Sequence, residues 1–288
     1  MTEERHAVVL GARSLIGPYL VGRLVGLGYT IECITRRREE TGPSPGLRWT
    51  TLDASAPGDW APRRDTVVFS LLPLWLLSPV LPNLQPARQI VAFGSTSATV
   101  KATSSDPGER DLAESLQSAE RVLAESCRRM NISWTLLRPT LVYGGGRDRN
   151  ISSIAGFIRR FGFFPLAAPG RGLRQPVHAD DLASAALSAV DNPAARDTGF
   201  DLPGGETLTY REMVERIFEA LNRRPLILPL PELALAAAVG GARRLGLLGV
   251  TAEAVRRINR DLTFDSAPAR SCLDFAPRGF APELPAER

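Results

Sequence analysis

His6-Ala7-Val8-Val9-Leu10-Gly11-Ala12-Arg13-Ser14-Leu15-Ile16-Gly17 reads as a short apolar strand that runs through a glycine turn into a helix. Gly11 permits the tight turn that has to follow the strand. Gly17 lets the helix press against the sheet where a side chain would hold it off. The first amides of such a helix have no intrahelical acceptor, so they face a site suited to phosphate oxygens. The stretch is expected to open a parallel α/β sheet and to cradle a dinucleotide pyrophosphate. Its candidate cofactor-binding residues are Gly11, Arg13, Ser14, Leu15, Ile16 and Gly17.

Outward from this unit the pattern alternates. Residues 8–10, 30–34, 47–52, 66–70, 89–93 and 132–137 are short apolar runs bounded by turn residues, and helical spacing fills 15–27 and 111–129. Parallel strands joined by helices predict a Rossmann-like, doubly wound α/β sheet with its ligand at the carboxyl ends of the strands. After Pro139 the rhythm changes. A Gly144-Gly145-Gly146 turn leads to helices expected over 151–161, from Asp180 and over 210–221, the last capped by Thr207 or Thr209. Short strands are expected over 175–178 and 200–202. One unit over residues 1–288 follows, with a nucleotide-binding core over about 1–145. Residues 146–288 would complete the sheet and add a small C-terminal substrate lobe. The Pro-rich tail beyond Asp274 is expected to lie on the surface or fray.

Composition narrows the class. With 44% hydrophobic and 23% charged residues, the chain is neither disordered nor fibrous. Its net charge of +4 is scattered, without the basic stripe of a nucleic-acid groove. Lys101 is the one lysine; every other basic side chain apart from the histidines is arginine. Cys33, Cys127 and Cys272 lack metal-ligand spacing and read as free thiols of a reducing compartment. No secretory leader is expected, because the first apolar run is too short for one. The apolar stretch 233–250 is interrupted by Arg243 and Arg244 and too short to span a bilayer. A cytoplasmic protein without an integral membrane segment is expected, its oligomeric state open.

Four segments, in order, resemble the extended short-chain dehydrogenase/reductase superfamily in its NAD(P)-dependent epimerase/dehydratase branch. They are residues 11–17, Gly94-Ser95-Thr96-Ser97-Ala98-Thr99-Val100, Leu137-Arg138-Pro139-Thr140-Leu141-Val142-Tyr143-Gly144 and Pro176-Val177-His178-Ala179-Asp180-Asp181-Leu182. The resemblance implies a nicotinamide dinucleotide. Ser14 stands where the family has its middle glycine, and its hydroxyl could cap the helix or donate to a phosphate. Asp53 resembles the residue at the adenine edge, and Pro139 joins the cofactor-binding set. NAD-preferring relatives close the second strand with an acid for the ribose hydroxyls. Here that end reads Ile34-Thr35-Arg36-Arg37-Arg38, and Arg13 and Arg36 could fork a 2′-phosphate, so NADP is expected. Glu32 lies further back and is a poor substitute for the acid. The bulky run Ser70-Leu71-Leu72-Pro73-Leu74-Trp75 either walls the nicotinamide end or fills the core.

On the catalytic side the resemblance breaks. The family places a Tyr and, four residues on, a Lys on the helix after strand five, where the tyrosine exchanges a proton with the substrate. A Ser or Thr at the end of that strand orients the substrate hydroxyl, which makes Ser97 the candidate catalytic residue. The flanking matches, Ser115 and Glu120, put Leu112 and Leu116 where the pair belongs. Neither can move a proton. Tyr143 and His178 are read as structural, and Lys101, Asp148 or Arg149 could reach in from neighbouring loops. Arg147, Arg149, Arg171 and Arg174 suit a diphosphate, as in a nucleotide sugar, or are ordinary surface charges. Two readings follow: an NADP-dependent oxidoreductase or epimerase-like enzyme with a nonstandard site, acting on a small molecule, or a non-catalytic NADPH-binding protein similar to the accessory subunit of respiratory complex I.

Overall fold

The computed structural model describes residues 4–37, 45–146, 148, 150–244 and 251–284, with the backbone alone at 242–244. Six strands of the first half build the central sheet: β1 His6–Leu10, β2 Thr30–Thr35, β3 Leu47–Thr51, β4 Val67–Ser70, β5 Gln89–Phe93 and β6 Ser133–Pro139. They lie in the order 3-2-1-4-5-6, and a late strand, Thr198–Leu202, adds to the edge beside β6. Every pairing in the sheet is parallel. The chain order reverses between β1 and β4, which opens a crevice at the carboxyl ends of those two strands.

Alternation along the strands feeds two apolar layers. Val9, Phe69 and Val91 face the helix α1, Gly17–Gly26, whose Leu20 and Leu24 are fully buried. Val8, Val68 and Ile90 face the other side. There α2, Ser97–Val100, and the long α3, Pro107–Met130, cover the sheet, with Leu116, Ala119 and Leu123 of α3 in the shared core. The third helix begins one turn ahead of the apolar period: Asp106 accepts from the Glu109 amide at 3.2 Å, and Pro107 follows at the first helical position. Cys33 and Cys127 are buried free thiols, and burial pushes each up to about 12.

The second half adds α4 Ile151–Phe161, α5 Ala179–Ser188, α6 Tyr210–Ala220, α7 Glu232–Arg244, α8 Ala252–Arg256 and α9 Ala267–Leu273. Thr209, rather than Thr207, caps α6 in a reciprocal box with Glu212. The strand expected over 175–178 divides around Pro176, which has no amide to donate. Leu173–Arg174 pairs antiparallel with Leu208–Thr209, and Val177–His178 pairs parallel with Val142–Tyr143. The described part of the tail is anchored, not frayed. Phe275 and Phe280 are buried, and the Arg278 guanidinium bridges Asp180 and Asp181 over α5. Among the described residues no helix is long and apolar enough to cross a membrane.

Candidate functional site

The β1–α1 turn is built from backbone. Gly11 has φ +76°, and a Cβ there would press on the Leu71 carbonyl at the end of β4. A Cβ on Gly17 would run into the Ala12 carbonyl oxygen, so only glycine lets α1 start this close to the sheet. Gly11 and Ala12 donate their amides to the Ile34 carbonyl, and Ser14 donates to that of Gly11 at 2.8 Å. The Ser14 hydroxyl accepts from the Gly17 amide at 3.2 Å, as the cap among its two expected roles would, and its O–H still has a proton to donate. Among the described residues the amides of Leu15 and Ile16 reach no acceptor. Two free donors at a helix start, beside a glycine turn that a side chain would fill, fit a dinucleotide pyrophosphate.

Beside this turn β2 closes with Thr35, whose hydroxyl donates to the Arg37 carbonyl at 2.5 Å. Arg13 and Arg36 are exposed, and Arg38 lies outside the described residues. Asp53 is exposed at the end of the neighbouring strand and accepts from the Ser55 hydroxyl and amide. Those bonds, with the charge of Arg36 as a smaller contribution, hold its carboxyl below the usual range. Glu32 sits mid-strand, accepting from the Thr50 hydroxyl at 2.6 Å. Of the bulky run after β4, Leu71 and Leu74 are core, and the Leu72 side chain lies over Gly11 beside the Leu71 carbonyl.

Ser97 stands at the start of α2, just past β5. Thr96 anchors the turn by donating its amide and hydroxyl to the Pro139 carbonyl at 3.2 and 3.1 Å, so Pro139 carries the β5 loop. The Ser97 amide is held by the Ser95 hydroxyl at 3.1 Å, while its own hydroxyl makes no hydrogen bond among the described residues. Facing it, α3 presents leucine. Leu116 is buried with Ala98 and Ala119, and Leu112 packs against the same cluster. Glu120, further along α3, grips Arg138 of β6 with bonds of 2.7–3.0 Å, tying the helix to the sheet.

Several polar candidates are occupied elsewhere. Tyr143 is 1% exposed and donates its hydroxyl to the Gly279 carbonyl. His178 caps α5 by accepting from the Asp180 amide at 3.1 Å; burial, then the charge of Arg278, push its imidazole below the usual range. Asp148 does not reach into the cleft, because it accepts from the Asn150 and Ser152 amides and caps α4. Arg174 does not offer itself to a diphosphate. It is buried and donates to the carbonyls of Leu173, Arg257 and Arg260 at 2.6–2.8 Å, over the Tyr210 ring. Burial lowers its guanidinium to about 10. Arg171 is exposed, and Arg147 and Arg149 lie outside the described residues.

What the sequence did not reveal is a buried ionic knot between α3 and the late segment. Glu109 takes a bidentate grip from Arg257, with one bond of 2.8 Å, and accepts from the hydroxyls of Ser104 at 2.8 Å and Thr251 at 3.3 Å. Burial alone would raise its carboxyl, but the Arg257 and Ser104 bonds win and hold it at about 2. Glu253, 4% exposed, pairs with Ser105 and Arg256. No local pattern signals partners 148 residues apart.

Residues 88–202 match the model of the NAD dependent epimerase/dehydratase family. The resemblance to that family holds. The chain is 29% identical over 98 residues to the mitochondrial NADH dehydrogenase (ubiquinone) 1 alpha subcomplex subunit 9 of Arabidopsis thaliana, a match covering 34% of this chain and 24% of that protein. It is 24% identical over 169 residues to UDP-glucose 4-epimerase of Vibrio cholerae, covering 59% and 49%. The chain thus spans less than half the length of each of these relatives. Among solved structures, MoeE5 in complex with UDP-glucose and NAD shares the fold at a TM-score of 0.69 and 20% identity, over 96% of this chain and 94% of that one.

Proposed function

We propose that this chain is an NADP-dependent oxidoreductase of the extended short-chain type whose active site works without the Tyr-x-x-x-Lys pair. The observation that carries the reading is the β1–α1 turn: Gly17, where a Cβ would collide, Gly11 at positive φ, and helix-start amides without acceptors among the described residues. Gly11, Leu15, Ile16 and Gly17 would hold the pyrophosphate, Asp53 and Pro139 would border the two ends of the dinucleotide, and Ser97 would orient the reacting oxygen. When bound, the cofactor supplies or accepts hydride at the nicotinamide. The preference for NADP rests on Thr35 and the exposed Arg36 where a ribose acid would stand, since a guanidinium attracts a 2′-phosphate that a carboxylate repels. For the substrate we propose a small carbonyl or hydroxyl compound bearing a diphosphate, such as a nucleotide sugar. The UDP-glucose in MoeE5 and the exposed Arg171 favour it.

The second reading, a non-catalytic nucleotide-binding protein, is favoured by Leu112 and Leu116, which are spent on core packing, and by the match to the Arabidopsis NADH dehydrogenase subunit. Native mass spectrometry of protein purified gently from its own host tests both. Retained NADP or NADPH with a second small molecule supports the enzyme. A stoichiometric nucleotide alone supports the binding protein, and retained NAD contradicts the 2′-phosphate assignment.

A further inference from the structure

In a chain with 35 lysines and arginines together, the single lysine is Lys101, and it stands one helical turn beyond Ser97. The Lys101 amide donates to the Ser97 carbonyl at 3.1 Å, so the two side chains leave the same face of α2. On α3, Glu109 lies three residues before Leu112, on the face where the family carries its tyrosine. The Lys101 ammonium sits 3.7 Å from the Glu109 carboxylate, with its side chain 24% exposed. That separation is an ion pair but not a hydrogen bond. Arg257 and Ser104 already occupy the Glu109 oxygens. The ammonium, with three donors, makes no hydrogen bond among the described residues, and neither does the Ser97 hydroxyl.

We propose that Lys101 takes over the proton transfer of the missing tyrosine, with Ser97 orienting the substrate oxygen. The assignment rests on the reading of the chain as a nicotinamide-dependent oxidoreductase. In the reductive direction the carbonyl carbon would gain the hydride that a reduced nicotinamide supplies when bound, and the carbon–oxygen π pair would move onto oxygen. That oxygen takes a proton from Lys101 Nζ, and the neutral amine regains one from water. In the oxidative direction the neutral amine accepts the hydroxyl proton. Glu109 is a positioning residue that holds Lys101 by charge without consuming its protons, and Arg257 orients the Glu109 carboxylate. Arg174 braces them from behind through the Arg257 and Arg260 carbonyls.

The single lysine makes the test clean. The protein is acetylated with N-hydroxysuccinimidyl acetate across a titration with NADPH, and the Lys101 peptide is read by mass spectrometry against the α-amino group. Labelling at Lys101 should disappear in step with nucleotide saturation, measured in parallel by NADPH fluorescence, while the α-amine reacts at a constant rate. NADPH binding with Lys101 still fully reactive overturns this assignment alone; absence of NADPH binding overturns the oxidoreductase reading itself. Lys101→Arg keeps the charge beside Glu109, so melting temperature and NADPH affinity should match wild type; a fall in either marks Lys101 as structural and overturns the proposal. With 9,10-phenanthrenequinone as hydride acceptor, Lys101→Arg should oxidise NADPH about 10²-fold more slowly than wild type. Equal rates, at any level, contradict the role.

Discussion

The two ends of the cleft are built from different material. At the β1–α1 turn the working parts are backbone: glycine torsions, close approaches and free amides. At the corner between β5 and α3 they are side chains. The first end absorbs the loss of a family glycine, because Ser14 turns its hydroxyl onto the Gly17 amide and leaves those of Leu15 and Ile16 open. The second end cannot absorb its losses in place: Leu112 and Leu116 carry no proton, so the transfer has to come from another side chain, which we assign to Lys101. Nucleotide recognition and proton transfer thus draw on separate parts of this fold, the first on backbone geometry and the second on side chains that the sequence has replaced.

Substitutions can break or sharpen that contrast. The largest effect is expected at the side-chain corner. Glu109→Gln removes the buried carboxylate that pairs Arg257, whose side chain is 12% exposed, and should cost about 3–5 kcal/mol in urea unfolding, without touching the nucleotide turn. The same carboxyl sets an acid limit. Its folded value of about 2 lies below the ordinary 4.5, so its stabilisation is full above 4.5 and is lost as pH falls towards 2. Acid unfolding followed by near-ultraviolet circular dichroism should begin in that window, and Glu109→Gln should flatten that part of the profile.

At the backbone end, Gly17→Ala drives a methyl into the Ala12 carbonyl; about 1–3 kcal/mol of stability should go, and NADPH affinity with it. A smaller change is expected at the rim. Arg36→Ala should weaken NADPH about tenfold, close to 1.4 kcal/mol, and leave NADH unchanged in parallel fluorescence titrations. Ser14→Gly, which restores the family residue, should alter NADPH affinity by no more than about threefold. A large gain there would show that the serine obstructs the cradle.

Legibility in the sequence follows the same divide. The strands of the core announced themselves as apolar runs, β5 at its observed bounds 89–93, and Gly11 and Gly17 announced a turn whose need for glycine is steric. The start of α3 was also legible, in Asp106 and Pro107, but the apolar period drew attention to residues further along. The bracing of the site was not legible. Arg174 shares its stretch with other arginines, and nothing local tells that its guanidinium folds inward onto three carbonyls. Glu109 and Arg257 meet only because the lobe closes on α3. Lys101 was one of three side chains that could reach in from neighbouring loops, and only the structure sets it beside Glu109.

The central claim is that the β1–α1 turn holds a phosphorylated nicotinamide dinucleotide. Isothermal titration calorimetry of the purified chain with NADPH, and separately with NADH, tests it most directly. One NADPH should bind per chain, more tightly than NADH, with the difference abolished in Arg36→Ala. Heat from neither nucleotide, or tighter binding of NADH, would contradict the account.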